Sequence, residues 1–71
     1  MASEMTVEEI KNEIKALQTE NRFMYTTVSG ITLNGKYIPK GIDAELVRNY
    51  RYKIAENCKR MVELKQLLDK E

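Results

Sequence analysis

The sequence predicts a mainly α-helical fold of αββα type, in which two antiparallel coiled-coil helices are joined by a small β-hairpin. Apolar residues recur in steps of three and four over residues 7–24, and the same spacing returns over residues 44–69. Between these segments, Asn34-Gly35 separates two short runs of β-prone residues. We expect a single domain over residues 1–71, because a chain of this length lies near the lower limit for burying a sufficient core.

The first helix is predicted to begin at a capping box. Thr6 can accept a hydrogen bond from the backbone of Glu9, and the Glu9 side chain can reach back to the Thr6 N–H. The a and d heptad positions that follow are apolar with one polar exception. They are Val7, Ile10, Ile14, Leu17, Asn21 and Met24. This pattern predicts a helix over residues 7–24 that packs along one face.

The predicted hairpin depends on the Asn34-Gly35 pair. Asn and Gly best tolerate the positive φ values that a type I′ turn needs at both central positions. A two-residue loop would then pair Thr32 with Tyr37 on adjacent strands. We therefore expect a β-hairpin over about residues 28–39.

The second helix is predicted over residues 44–69, with Asp43 as its N-cap and a hydrophobic staple between Ile42 and Val47. Its a and d positions are again apolar with a single polar break. They are Val47, Tyr50, Ile54, Asn57, Met61, Leu64 and Leu68.

A short connection favours antiparallel helices, and matching the two apolar seams suggests a register. In that register Met24 faces Val47 and Asn21 faces Tyr50, so that every a position meets a d position.

Charged residues beside the seams support the same register. It places Glu20 beside Lys53 and Glu13 beside Arg60, and both pairs are opposite in sign. Exposed pairs of this kind contribute only about 0.2–1 kcal/mol each, but they select register and direction.

Asn21 and Asn57 are interpreted as structural. A buried Asn in a coiled coil fixes register and oligomer number at a cost in stability. A contact to a polar ligand inside an oligomer is the alternative interpretation.

Apolar residues outside the seams predict self-association into a helical-bundle homo-oligomer, most simply a two-fold dimer. The second helix carries a stripe of small and medium residues beside its seam, and a second copy is its simplest cover. Whether the helices pair within one chain or between chains stays open. The expected oligomer interface is Asn21, Ile54, Ala55, Asn57, Cys58, Met61 and Val62.

Charge is unevenly distributed along the chain. Residues 1–21 hold five acids against two bases, residues 22–60 hold eight bases against three acids, and the net charge is +1. Basic residues interleaved with tyrosines suit either an acidic protein surface or phosphate groups. The predicted partner- or phosphate-binding residues are Arg22, Lys36, Tyr37, Lys40, Arg48, Arg51 and Tyr52.

The composition argues against an enzyme. The chain has no histidine, no nucleophile paired with a base and no glycine-rich phosphate loop. Cys58 is interpreted as a small packing residue, and the acids of the first helix as a solvated face. We expect no catalytic residue, no metal site and no cofactor.

Two functional hypotheses follow. The leading one is a homo-oligomeric helical hairpin that binds a larger protein and regulates or inhibits it, and in size and plan the chain resembles small accessory proteins of bacteriophages. The alternative is a binder of nucleic acid or small nucleotides. We expect a cytoplasmic protein without membrane association, because no run approaches about 18 apolar residues and the N-terminus lacks a signal-peptide core.

Overall fold

The computed structural model describes residues 5–70, and this part of the chain contains two α-helices and no strand. Helix α1 spans Val7–Ile31 and helix α2 spans Ile42–Asp69. The two pack side by side as an antiparallel hairpin that measures 46 by 20 by 14 Å. This confirms the mainly helical, two-helix prediction. Residues 1–4 and 71 of the predicted domain lie outside the described residues.

The core is the seam between α1 and α2. At the open end of the hairpin, Ile10, Ile14 and Leu64 form a buried cluster that is flanked by Met5, Leu17, Met61 and Leu68. Toward the connector, the buried apolar residues are Met24, Val28, Val47 and Ile54. In the part of the chain that the structure describes, neither helix has a stretch long and apolar enough to cross a bilayer.

The start of α1 was predicted correctly and the start of α2 was not. Thr6 Oγ1 accepts from the Glu9 N–H at 3.1 Å, and Glu9 Oε1 accepts from the Thr6 N–H at 2.9 Å. By contrast, Gly41 is the N-cap of α2, so Asp43 lies within the first turn rather than capping it. Ile42 is 82% exposed and forms no staple with Val47.

The predicted β-hairpin is wrong. Helix α1 continues beyond Met24 to Ile31, and residues 32–36 form turns. The a/d spacing of the first helix continues through Val28 and Ile31, and Val28 is only 7% exposed. Burial against α2 therefore outweighs the β propensity of these residues, because tertiary packing supplies most helical stability.

A Schellman motif ends α1. The Asn34 N–H donates to the Ser29 carbonyl at 2.9 Å, and the Leu33 N–H donates to the Gly30 carbonyl at 3.4 Å. Leu33 occupies the left-handed position that glycine normally fills, with φ of 51°. The motif satisfies carbonyls that the end of a helix would otherwise leave unpaired.

Thr32 closes the turn that follows. Its carbonyl accepts from the N–H groups of Gly35 at 3.0 Å and Tyr37 at 2.8 Å, and its hydroxyl donates to the Val28 carbonyl at 3.0 Å. Asn34 and Gly35 do take positive φ, as predicted, but at 58° and 91° in this helix-terminal turn. The local turn signal was correct, and its assignment to a hairpin was not.

The two seam asparagines pair with each other. Asn57 Nδ2 donates to Asn21 Oδ1 at 2.9 Å and to Glu20 Oε1 at 2.7 Å, while Asn21 Nδ2 lies 3.6 Å from Cys58 Sγ. Asn21 therefore faces Asn57 and not Tyr50. The predicted register is wrong by one heptad.

The observed register is preferred because burying an amide without a hydrogen-bond partner is costly. An apolar seam with a heptad repeat fits equally well when it slides by seven residues. The predicted register would have set each Asn against an apolar or aromatic residue, leaving two buried amides without partners. The observed register pairs them, and no buried side-chain nitrogen or oxygen among residues 5–70 lacks a partner.

Of the two predicted ion pairs, one is present. Arg60 Nε lies 3.0 Å from Glu13 Oε2, and this hydrogen bond and the charge of Glu13 raise the pKa of Arg60 above its ordinary value. Glu20 is instead hydrogen-bonded to Asn57, and no ion pair joins it to Lys53 within the described residues.

Replacing Asn57 with Ala should lower the free energy of unfolding by about 1–3 kcal/mol, because the buried Asn21 amide loses its partner. Replacing Asn21 and Asn57 together with Leu should cost much less or raise stability, since both buried amides are then removed. Urea unfolding of the single and double variants measures this difference. A single variant as stable as the native chain would contradict the role of the pair.

Leu33→Gly should raise the free energy of unfolding by about 0.5–1 kcal/mol, because glycine adopts the left-handed conformation without steric cost. Leu33→Ala is the matched control, since it removes the same exposed side chain but keeps a Cβ atom. Thermal unfolding compares the two. Equal stabilisation by Ala would show that the strain is not at this position.

Candidate functional site

A cleft of about 360 Å³ opens between the C-terminal part of α1, the connector and the N-terminal half of α2. We call it the connector cleft. The residues that line it are Tyr25, Val28, Ser29, Thr32, Asn34, Gly35, Arg51 and Ile54.

The connector cleft has an apolar floor and a polar rim. Val28, Thr32 and Ile54 are buried, the first and last as seam residues. Tyr25 is 60% exposed, and Arg51 is also exposed. An occupant would therefore meet aliphatic carbon inside and a guanidinium and a phenol at the edge.

Three rim groups are available to an occupant. The Ser29 hydroxyl, the Asn34 amide and the Arg51 guanidinium make no side-chain hydrogen bond or ion pair within residues 5–70. The Thr32 hydroxyl is different, because it donates to the Val28 carbonyl and accepts from the Gly35 N–H. Its donor is not available.

The two flanks of the helix pair differ in chemistry. The residues at e positions, each directly after a d residue of the seam, lie on the cleft side. They are Tyr25, Thr32, Arg51 and Cys58. The opposite flank holds the g positions, where the Glu13–Arg60 ion pair bridges α1 and α2. An ion pair therefore bridges the helices on one flank, and the cleft lies on the other, which we call the open flank.

All seven residues of the predicted binding surface are exposed. Arg51 lines the cleft, and Arg48 lies one turn before it on the same side of α2. Arg22 lies one turn before Tyr25 on α1. The remaining residues are Lys36, Tyr37 and Lys40 on the connector and Tyr52 on α2.

Within residues 5–70, no cation of this surface forms an ion pair with a carboxylate. The ion pairs found among residues 5–70 both involve Arg60, with Glu13 and with Glu63. The cations at the connector end are therefore exposed and, in the described part of the chain, not paired with a carboxylate.

The predicted oligomer interface is divided by the structure. Asn21, Ile54 and Asn57 are buried between the helices of one chain, and Met61 packs against the core cluster. The other three, Ala55, Cys58 and Val62, are exposed. Of the seven predicted interface residues, only these three are exposed to a second copy.

Sequence reasoning missed most of the cleft. Tyr25 lay between the predicted helix and the predicted hairpin, and Ser29 lay within the hairpin, so neither was assigned to a helix face. Continuing the heptad through Val28 would have placed both on α1, one turn apart on the face that lines the cleft with Arg51.

In the described residues no group of three or more acidic, cysteine or histidine side chains is arranged to hold a metal ion. Comparison with protein-family models, curated protein sequences and solved structures finds no match for the chain.

Proposed function

We propose that the chain is a non-enzymatic helical hairpin that binds a larger protein through its connector end and so regulates or inhibits it. The observation that carries this proposal is the combination of uncompensated cations with large exposed apolar side chains at one end. The exposed apolar and aromatic residues there are Phe23, Tyr25, Leu33, Tyr37, Ile38, Ile42 and Tyr52.

The exposed isoleucines favour a protein partner. Ile38 is 80% exposed and Ile42 is 82% exposed, and they stand at either end of the short segment that enters α2. Aliphatic side chains gain little from phosphates or bases, whereas they gain about 25 cal/mol for each Å² buried against another protein. Aromatic residues and Arg are the types enriched at such interfaces.

The second candidate is a binder of nucleic acid or small nucleotides. Uncompensated cations beside Tyr25, Tyr37 and Tyr52 favour it, because cations hold phosphates and tyrosines stack on bases. In this candidate the phosphates contact Arg22, Lys36, Lys40, Arg48 and Arg51. The net charge of +1 favours it less.

A photo-crosslinking amino acid placed at Tyr52 should join the chain to a discrete protein in cells, and the same group at Asn12 on α1 should not. Ile42→Glu should reduce the product at least about tenfold, because it puts a charge into an apolar contact. Mass spectrometry identifies the product.

A nucleic-acid product would instead support the second candidate. It should fall steeply between low and physiological salt and disappear in the Arg48→Glu/Arg51→Glu variant. Equal crosslinking from Tyr52 and Asn12, or no product at all, would refute the protein-docking proposal.

Self-association is also part of the proposal. Two helices bury only one seam, and Ala55, Cys58 and Val62 leave an apolar stripe along the open flank of α2. Packing this stripe against its copy in a two-fold dimer would extend the core to four helices.

Val62→Arg should convert the proposed dimer to monomer in sedimentation-velocity experiments at micromolar concentration, because it places an uncompensated charge in the centre of the stripe. Asn49→Arg adds the same charge to another exposed face of α2 and should leave the dimer intact. A native chain that sediments as a monomer throughout would overturn this part of the proposal.

A further inference from the structure

The size of the connector cleft suits a single bulky side chain with a short piece of backbone. Its volume of about 360 Å³ lies at the lower end of the range of ligand pockets, roughly 300–1,000 Å³. The floor is formed by the buried side chains of Val28 and Ile54. These two side chains can pack against an aliphatic or aromatic group, and they carry no polar atom that could contact a sugar or a base.

The connector backbone at residues 32–37, which borders the cleft, is not free to hold a phosphate. Phosphate loops present unpaired N–H groups to the anion. Here the N–H groups of residues 32–37 all donate to backbone carbonyls of Val28, Ser29, Gly30, Thr32 and Leu33. An anion in the cleft would therefore be held by side chains alone, chiefly by Arg51.

Charge determines which peptide would fit. Residues 22–53 contain six bases and two acids, and none of these bases forms an ion pair within the described residues. The Arg51 guanidinium at the rim can hold a carboxylate through two parallel hydrogen bonds. An acidic segment is thus attracted over the whole connector end and fixed at one point.

Two uncharged groups complete the site. The Ser29 hydroxyl and the Asn34 amide line the same cleft and make no side-chain hydrogen bond within residues 5–70, so they can bond the backbone of an entering segment. An apolar floor, two neutral hydrogen-bonding groups and one cation at the edge together match a peptide more closely than a nucleotide.

We propose that the connector cleft recognises an acidic peptide segment of the partner, with one apolar anchor side chain on Val28 and Ile54 and a neighbouring carboxylate on Arg51. This inference rests on the proposed function, because it names the chemistry of the protein that docks at the connector end.

The test is a selection with the full-length chain from a displayed library of random dodecapeptides. We expect enriched peptides to combine Asp or Glu with a Leu, Ile, Phe or Met anchor. An enriched peptide, labelled with fluorescein, should bind the Arg51→Glu variant at least about tenfold more weakly. Lys65→Glu makes the same charge change on α2 outside the cleft and should alter binding less than twofold.

A second variant tests the apolar floor without changing charge. Ser29→Leu fills the cleft from α1 and should weaken binding at least about tenfold, whereas Thr26→Leu makes a similar change on an exposed α1 position and should not. Circular dichroism checks that each variant keeps its helices. Enriched peptides that lack acids, lack an anchor, or bind both cleft variants normally would overturn the inference, as would the absence of enrichment.

The two proposals fail in different ways. If Tyr52 still crosslinks to its protein in the Arg51→Glu and Ser29→Leu variants, the cleft is not the recognition site but the docking function stands. If an oligonucleotide binds and loses affinity in Arg51→Glu while no peptide is enriched, the phosphate candidate replaces both.

Discussion

The hydrogen bond between Asn21 and Asn57 determines how the rest of the structure is arranged. A heptad slide would destroy this bond together with the contacts of Asn57 to Glu20 and of Asn21 to Cys58, because apolar neighbours can be exchanged for similar ones and an amide partner cannot. Once this bond sets the register, Glu20 completes the polar cluster, and Arg51 comes to lie across from the last turns of α1. The cleft exists because of this register.

Local sequence signals predicted local structure correctly at the start of α1 and in the turn after it, but not at the start of α2, where Gly41 and not Asp43 is the N-cap. The capping box at Thr6 and Glu9 involves residues three apart, so nothing distant could override it. The same holds for the positive φ of Asn34 and Gly35, which the residue types themselves favour. These signals could not determine whether the turn closes a β-hairpin or ends a helix, because both kinds of turn can place residues at positive φ.

The errors arose where burial competes with propensity or where a pattern repeats. Val28 belongs equally to a β-prone run and to a continuing heptad, and only the presence of α2 beside it decides between them. The predicted register was wrong because the pattern repeats: apolar residues match equally well when one helix is shifted by one heptad. Recognising that Asn21 and Asn57 could satisfy each other would have resolved it. The cleft required both corrections, because Tyr25 and Ser29 join it only when α1 continues through Val28 and the two asparagines set the register.

The hydrogen-bonded connector has a consequence for the thermodynamics of any encounter. Every N–H from Thr32 to Tyr37 already donates to a backbone carbonyl. The segment is therefore a hydrogen-bonded turn with little backbone freedom, although it is neither helix nor strand. A surface on such a turn loses little conformational entropy when a partner binds, and more of the contact energy is expressed as affinity. Its amide protons should also exchange with solvent more slowly than those of an ordinary loop, and a protease that needs an extended chain finds none ready there.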